Sequence, residues 1–274
     1  MAMAVGRAQV MIVDCHTHIE SLSDKDTSEH LAATETVDAC IVLAALNEER
    51  EKINRDLADY VGRHSDRMVG FAVVDPTQDP CDDKTLSSLT EKPGIKGFVV
   101  YCALSEFHPA HTQAMRFYET VERMNLPVFF HNGSHAPQAQ AILEFSQPYL
   151  LDEVARTFPA LKMVIGNMGV PFVDQTLALA GKHENVYADL TIRPSKVWQT
   201  YNMVVAAHER GVMDKLLFGS GYPLSSAGEC IETLYGFNML LADTKLPTVP
   251  RASIRNVIER DSLDLLGIRR TEGK

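Results

Sequence analysis

Short apolar runs recur along this chain, and a polar, periodic segment follows nearly every one of them. The runs cover residues 10–13, 37–43, 68–74, 95–101, 127–130, 161–166, 185–190 and 215–219. They are rich in valine, isoleucine and phenylalanine and alternate little between apolar and polar. Strands of that kind belong to a parallel sheet covered on both faces. Helical patterns fill the gaps. Residues 47–64 place Ile53, Leu57 and Val61 at spacings of four. Further helices are expected at 82–91, 111–124, 172–182 and 195–210, and the segment 137–158 reads as two helices broken at Pro148. Two more, at 228–242 and 250–266, close the chain. Residues 20–35 are the exception: polar, short-helical at best, and read as a loop over the end of the first strand. Eight strands in strict alternation with helices predict a closed (β/α)8 TIM barrel with an extra C-terminal helix, an α/β fold in a single domain spanning 1–274. Neither G-x-G-x-x-G nor G-x-x-x-x-G-K-[ST] follows the first strand, which removes the nucleotide-binding open sheets.

A barrel of this kind carries its chemistry at the C-terminal ends of its strands. The first strand ends in Asp14-Cys15-His16-Thr17-His18. Histidines at i and i+2 on extended backbone point to one side and can hold a single metal ion. Two loop histidines are the competing reading, and the position at the end of the first strand favours the metal. The fifth strand ends in His131, with His135 close behind. Glu106 and His108 follow the fourth strand, Asn167 the sixth, and Tyr222 the eighth, while Asp189 and Arg193 lie on and after the seventh.

Composition narrows the class. The formal net charge of −10 argues against nucleic acid as a partner and gives no general attraction for anions, so an anionic substrate needs a local cation. The five cysteines (15, 40, 81, 102 and 230) are scattered and odd in number, which fits reduced thiols in a cytoplasmic protein. No run is long enough to span a membrane, and the short apolar run after Arg7 is no secretory signal.

Taken together, the motifs resemble the amidohydrolase superfamily. They are the H-x-H pair, Leu-Pro-Val-Phe-Phe-His at 126–131, Phe-Pro-x-Leu-Lys-Met-Val-Ile-Gly at 158–166, Asn-Val-Tyr-Ala-Asp at 185–189 and Leu-Leu-Phe-Gly-Ser-x-Tyr-Pro at 216–223. The most similar branch is the amidohydrolase-related (amidohydrolase 2) group of predicted TIM-barrel metal-dependent hydrolases, which also holds non-oxidative decarboxylases and a dicarboxylate lactonase. The resemblance implies one divalent ion at the barrel mouth, zinc or manganese, with zinc expected here. It places His16, His18 and His131 among the ligands. It also exposes two departures, because the family's strand-six histidine stands where this chain has Asn167, and its strand-eight aspartate where this chain has Gly221.

Those departures bear on mechanism. In the hydrolytic members the aspartate binds the metal and takes the proton from bound water; glycine does neither. The Asn167 amide is neutral and cannot shuttle a proton near neutral pH. Three histidines still hold zinc with an open fourth position, and this neutral set lets a substrate carboxylate complete the shell. Asp189, Asn167 and His135 are the catalytic candidates, although a structural aspartate at 189 reads equally well. Arg193 suits a substrate carboxylate through its guanidinium. Tyr222, Glu106 and His108 are further substrate contacts, against packing beside Pro223 for the tyrosine and a solvated loop for the other two. Cys15 alternates away from the histidines and reads as packing. The expected function is a metal-dependent hydrolase or carboxy-lyase acting on a small carboxylated or cyclic substrate. A metal-independent lactonase-like enzyme and a catalytically silent ligand-binding barrel are the alternatives. A homodimer is the commonest assembly for such a protein.

Overall fold

Eight parallel strands hydrogen-bond in chain order: β1 Val13–Thr17, β2 Ala39–Leu43, β3 Met68–Val73, β4 Ile95–Val100, β5 Val128–Phe130, β6 Met163–Ile165, β7 Val186–Thr191 and β8 Leu216–Gly219. The computed structural model describes residues 11–19, 21–46, 49–131 and 140–269. Every strand residue is buried except the half-buried Lys96. That is why the runs carry no alternation: one side of each strand faces the barrel interior and the other a layer of helices. The helices are α1 Asp24–Ala33, α2 Arg50–Arg63, α3 Asp83–Thr90, α4 Thr112–Arg123, α5 Asp152–Thr157, α6 Val173–Lys182, α7 Val197–Glu209 and α8 Ala227–Gly236, followed by α9 Arg251–Ile258 and α10 Ser262–Leu265. This is the TIM barrel that the pattern predicts. No helix among the described residues is long and apolar enough to cross a membrane.

The ring closes between β1 and β8. Gly221 N–H donates to the His16 carbonyl (2.9 Å) and His18 N–H to the Tyr222 carbonyl (3.0 Å). Asp14, facing inward, accepts from Ser220 N–H (2.9 Å) and His16 N–H (3.2 Å). Lower in the barrel the inward side chains sit across glycines. A Cβ added to Gly97 would come within 2.7 Å of the Phe71 ring, and one added to Gly166 within 2.7 Å of Phe129. The two rings therefore occupy space that the glycines vacate.

Local structure departs from the sequence pattern in four places. First, β1 begins at Val13, because ladder pairing with β2 starts at Val13 and Ala39, so His16 lies within the strand and not after it. Residues 24–33 form a full helix in place of the expected loop: Ser23 caps it by accepting from Asp26 N–H (3.1 Å), and Asp24 and Asp26 complement its N-terminal dipole. Between 140 and 158 the expected pair of helices becomes two 3-10 turns, Leu143–Ser146 and Pro148–Leu151, before the short α5. Gln147 is extended, as a residue preceding proline must be. The last predicted helix divides into α9 and α10 at Glu259, and the one before it ends at Gly236 and tightens into a 3-10 turn.

His30 is the only buried side chain of α1. Its Nδ1 lies 2.6 Å from the Tyr60 hydroxyl of α2, and its ring meets Tyr222 edge-on with centroids 5.1 Å apart. Burial holds this imidazole down at about 4, from an ordinary 6.5. A histidine kept neutral in the fold but free to charge in the unfolded chain supports the fold above pH 6.5. That support is lost as pH falls from 6.5 through about 4. The interval corresponds to about 3 kcal/mol. Denaturant unfolding at about pH 7.5 and about pH 4.5 should show wild type losing up to about 3 kcal/mol more than His30→Gln. Equal losses would clear His30 of any part in acid sensitivity.

Candidate metal centre

β1 and β5 deliver three imidazoles to the C-terminal rim of the barrel. The Nε2 atoms of His16 and His18 lie 3.1 Å apart, and those of His18 and His131 3.3 Å apart. The three ring centroids form a near-equilateral triangle with sides of 5.1, 5.1 and 5.2 Å. His16 is buried, and the other two are half-buried and open toward the mouth.

The back of each β1 histidine fixes what its front presents. His18 Nδ1 lies 3.0 Å from the Leu43 carbonyl, which can only accept, so Nδ1 carries the proton. Burial, helped by the neighbouring His16, pushes this imidazole down to about 3, so the ring is neutral and its Nε2 presents a lone pair. His16 Nδ1 lies 2.5 Å from Asp189 Oδ2, and a carboxylate there fixes the same tautomer. The Nε2 atoms of the two rings thus face each other across 3.1 Å. Ligand nitrogens 2.0–2.1 Å from a tetrahedral zinc ion lie about 3.3–3.4 Å apart; the two pairs that include His18 match that spacing, and all three nitrogens lie within 4.8 Å of one another. The residues present fit a divalent metal.

Around this triad the side chains are less evenly placed. Asp189 Oδ2 also accepts from the Thr191 hydroxyl (2.5 Å) and from Asn167 N–H (3.0 Å), while Oδ1 has no partner among the described residues. Asn167 is buried with φ of +51°, a left-handed conformation that asparagine tolerates better than most residues. Its backbone N–H is what reaches the site through Asp189. Asp14 lies one inward position below His16, and burial pushes its carboxyl up to about 6. The ring of Phe129 packs edge-on against His16, and that of Tyr101 lies against His131 with centroids 4.6 Å apart.

A family model described as Amidohydrolase (Amidohydro_2) matches residues 13–248. The chain belongs to the amidohydrolase 2 family. No curated protein sequence matches it. Among solved structures it is similar to a probable 2-pyrone-4,6-dicarboxylic acid hydrolase from Acinetobacter baumannii with citric acid bound. That pair has 18% identity and a TM-score of 0.66, with 94% of this chain and 99% of the other covered. It is also similar to 2,6-dihydroxybenzoate decarboxylase from Rhizobium (15% identity, TM-score 0.66, 94% and 99% covered). A third is a Polaromonas dihydroxybenzoic acid decarboxylase with manganese and 2-nitroresorcinol bound (16%, 0.65, 96% and 98%). At these identities the likeness is one of fold.

Within this amidohydrolase barrel the other predicted residues are dispersed. Glu106 is exposed. His108 is half-buried, its Nδ1 accepting from Ala110 N–H (3.0 Å) and its ring meeting Phe145 edge-on. Tyr222 turns toward α1 and packs on His30, beside a small depression of about 90 Å³ shared with Ile19, Asp26, Glu29 and Pro223. Arg193 is half-buried and extended, two positions beyond the end of β7. His135 lies outside the described residues. Sequence reasoning passed over Asp14 and Thr191, yet the same i±2 parity that picked out His16 and Asp189 points to both.

Titration of metal-free protein with zinc against a chromophoric chelator should give one bound equivalent. His18→Ala should weaken that binding more than about 100-fold while the chain stays folded. Undiminished affinity in the variant would separate zinc from this triad.

Proposed function

We propose that this chain is a metal-dependent amidohydrolase-type enzyme acting on a small aromatic or cyclic carboxylate, by hydrolysis or by non-oxidative decarboxylation. The observation that carries the reading is the convergence of the His16 and His18 Nε2 atoms at 3.1 Å, with His131 Nε2 3.3 Å from that of His18. Family membership and neighbours that act on pyrone and hydroxybenzoate carboxylates support the substrate class. His16, His18 and His131 would hold the ion, with zinc the first choice for three neutral nitrogens. When bound, the cation supplies Lewis-acid polarisation of a coordinated oxygen and acidifies bound water.

The chain's own residues divide the remaining work. Arg193 anchors a substrate carboxylate from the β7 side of the mouth; no hydrogen bond or ion pair among the described residues occupies it, and a guanidinium binds carboxylate through two parallel donors. Asp189 lies behind His16, where it orients the ring. Asn167, neutral and buried, helps to hold Asp189. Proton transfer falls to a residue of the β5 loop, with His135 the candidate. In decarboxylation the bond to the carboxylate breaks, carbon dioxide leaves and a proton goes to the ring carbon. In hydrolysis water adds to the lactone or amide carbonyl and the ring bond opens.

A second reading rests on Gly221. Its φ is +66°, and a Cβ there would lie 2.5 Å from Thr191 Cγ2, so this rim is built without room for a carboxylate at 221. A carboxylate-binding barrel without turnover is compatible with that.

Assays on pyrone and hydroxybenzoate carboxylates, following carbon dioxide and proton release, separate the readings. Turnover should disappear on chelation and return with zinc or manganese, and Arg193→Ala should raise KM about tenfold or more with a smaller change in kcat. Turnover that survives chelation would support the metal-independent lactonase-like alternative, and stoichiometric metal without turnover the silent barrel.

A further inference from the structure

The packing rule of the barrel interior extends upward into the site, with a change of chemistry. Phe71 lies across Gly97 and Phe129 across Gly166. Around His16, a Cβ on Gly219 would strike Asp189 Oδ1 and lie 3.0 Å from His16 Cβ, and a Cβ on Gly221 would strike Thr191 Cγ2. Here the space vacated by the glycines is taken by a carboxylate and a threonine. Both are buried, and among the described residues the only ion-pair partner of Asp189 is His16. Burying a carboxylate with one oxygen unpaired is costly unless a positive charge lies close by. A cation on the far nitrogen of His16 would supply that charge.

We propose that Asp189 and Thr191, seated in the vacancies left by Gly219 and Gly221, are positioning residues that lock His16 as its Nδ1–H tautomer and set a buried negative charge behind the cation. The proposal rests on the metal reading above and adds to it the device that prepares the site before any ion arrives. Asp189 accepts the hydrogen bond from Nδ1–H, Thr191 and the Asn167 N–H hold the carboxylate in place, and Nε2 is left as the lone pair that His16 offers in that tautomer. A carboxylate behind a ligating histidine fixes its orientation and raises its basicity as a ligand.

The test needs no substrate. Protein labelled with 15N-histidine and stripped of metal should show a far-downfield Nδ1 proton for His16. Asp189→Asn should abolish it, populate the Nε2–H tautomer, and weaken zinc affinity about 10- to 100-fold. Thr191→Val, which leaves every charge in place, should weaken zinc binding about three- to tenfold and shift the same resonance. An Asp189→Asn protein that binds zinc within about twofold of wild type, or that keeps the resonance, overturns the proposal. If that variant fails to fold, Thr191→Val decides: unchanged affinity and an unmoved resonance overturn it. A wild type that binds neither zinc nor manganese overturns the metal reading instead, and the resonance in the metal-free protein still decides the tautomer.

Discussion

Two imidazole Nε2 atoms face one another across 3.1 Å, a spacing that suits a shared cation, and much of the barrel's upper rim holds them there. The Leu43 carbonyl holds His18 from behind and Asp189 holds His16. The strand ends that carry them are pinned by backbone bonds between residues 16–18 and 220–222, the same bonds that close the ring. Closing the fold and pre-forming the site are therefore one structural act.

The glycines of the rim also shape the site. A glycine at 221 with positive φ brings the chain close over β7, and Thr191 fills the volume that a side chain there would need. The carboxylate of Asp189 stands behind His16, with Oδ2 2.5 Å from the ring's Nδ1.

The fold was legible because parallel barrel strands are buried on both faces, and uninterrupted apolar runs at regular intervals are what that burial demands. The pair His16 and His18 was legible through parity on β1, and His131 through the family resemblance. Other parts were hidden for physical reasons. The helix α1 has a single buried residue, His30, so it carries no apolar stripe to read. The segment before α5 tightened into 3-10 turns because one proline removed a donor and forced its neighbour extended. The role of Asp189 depended on what lay behind His16, which is a matter of packing between β7, β8 and β1 that no local pattern encodes. Its glycine partners were visible in the text only as glycines, and their meaning emerges when a Cβ is placed on them.

The central claim is that His16, His18 and His131 share one divalent cation. Anomalous diffraction from crystals grown with zinc, recorded on both sides of the zinc absorption edge, tests it most directly. The account predicts a single strong peak bonded to all three Nε2 atoms, with the His16–Asp189 contact intact. A zinc-loaded crystal with no peak among the three rings, or with the peak held by other residues, would contradict it.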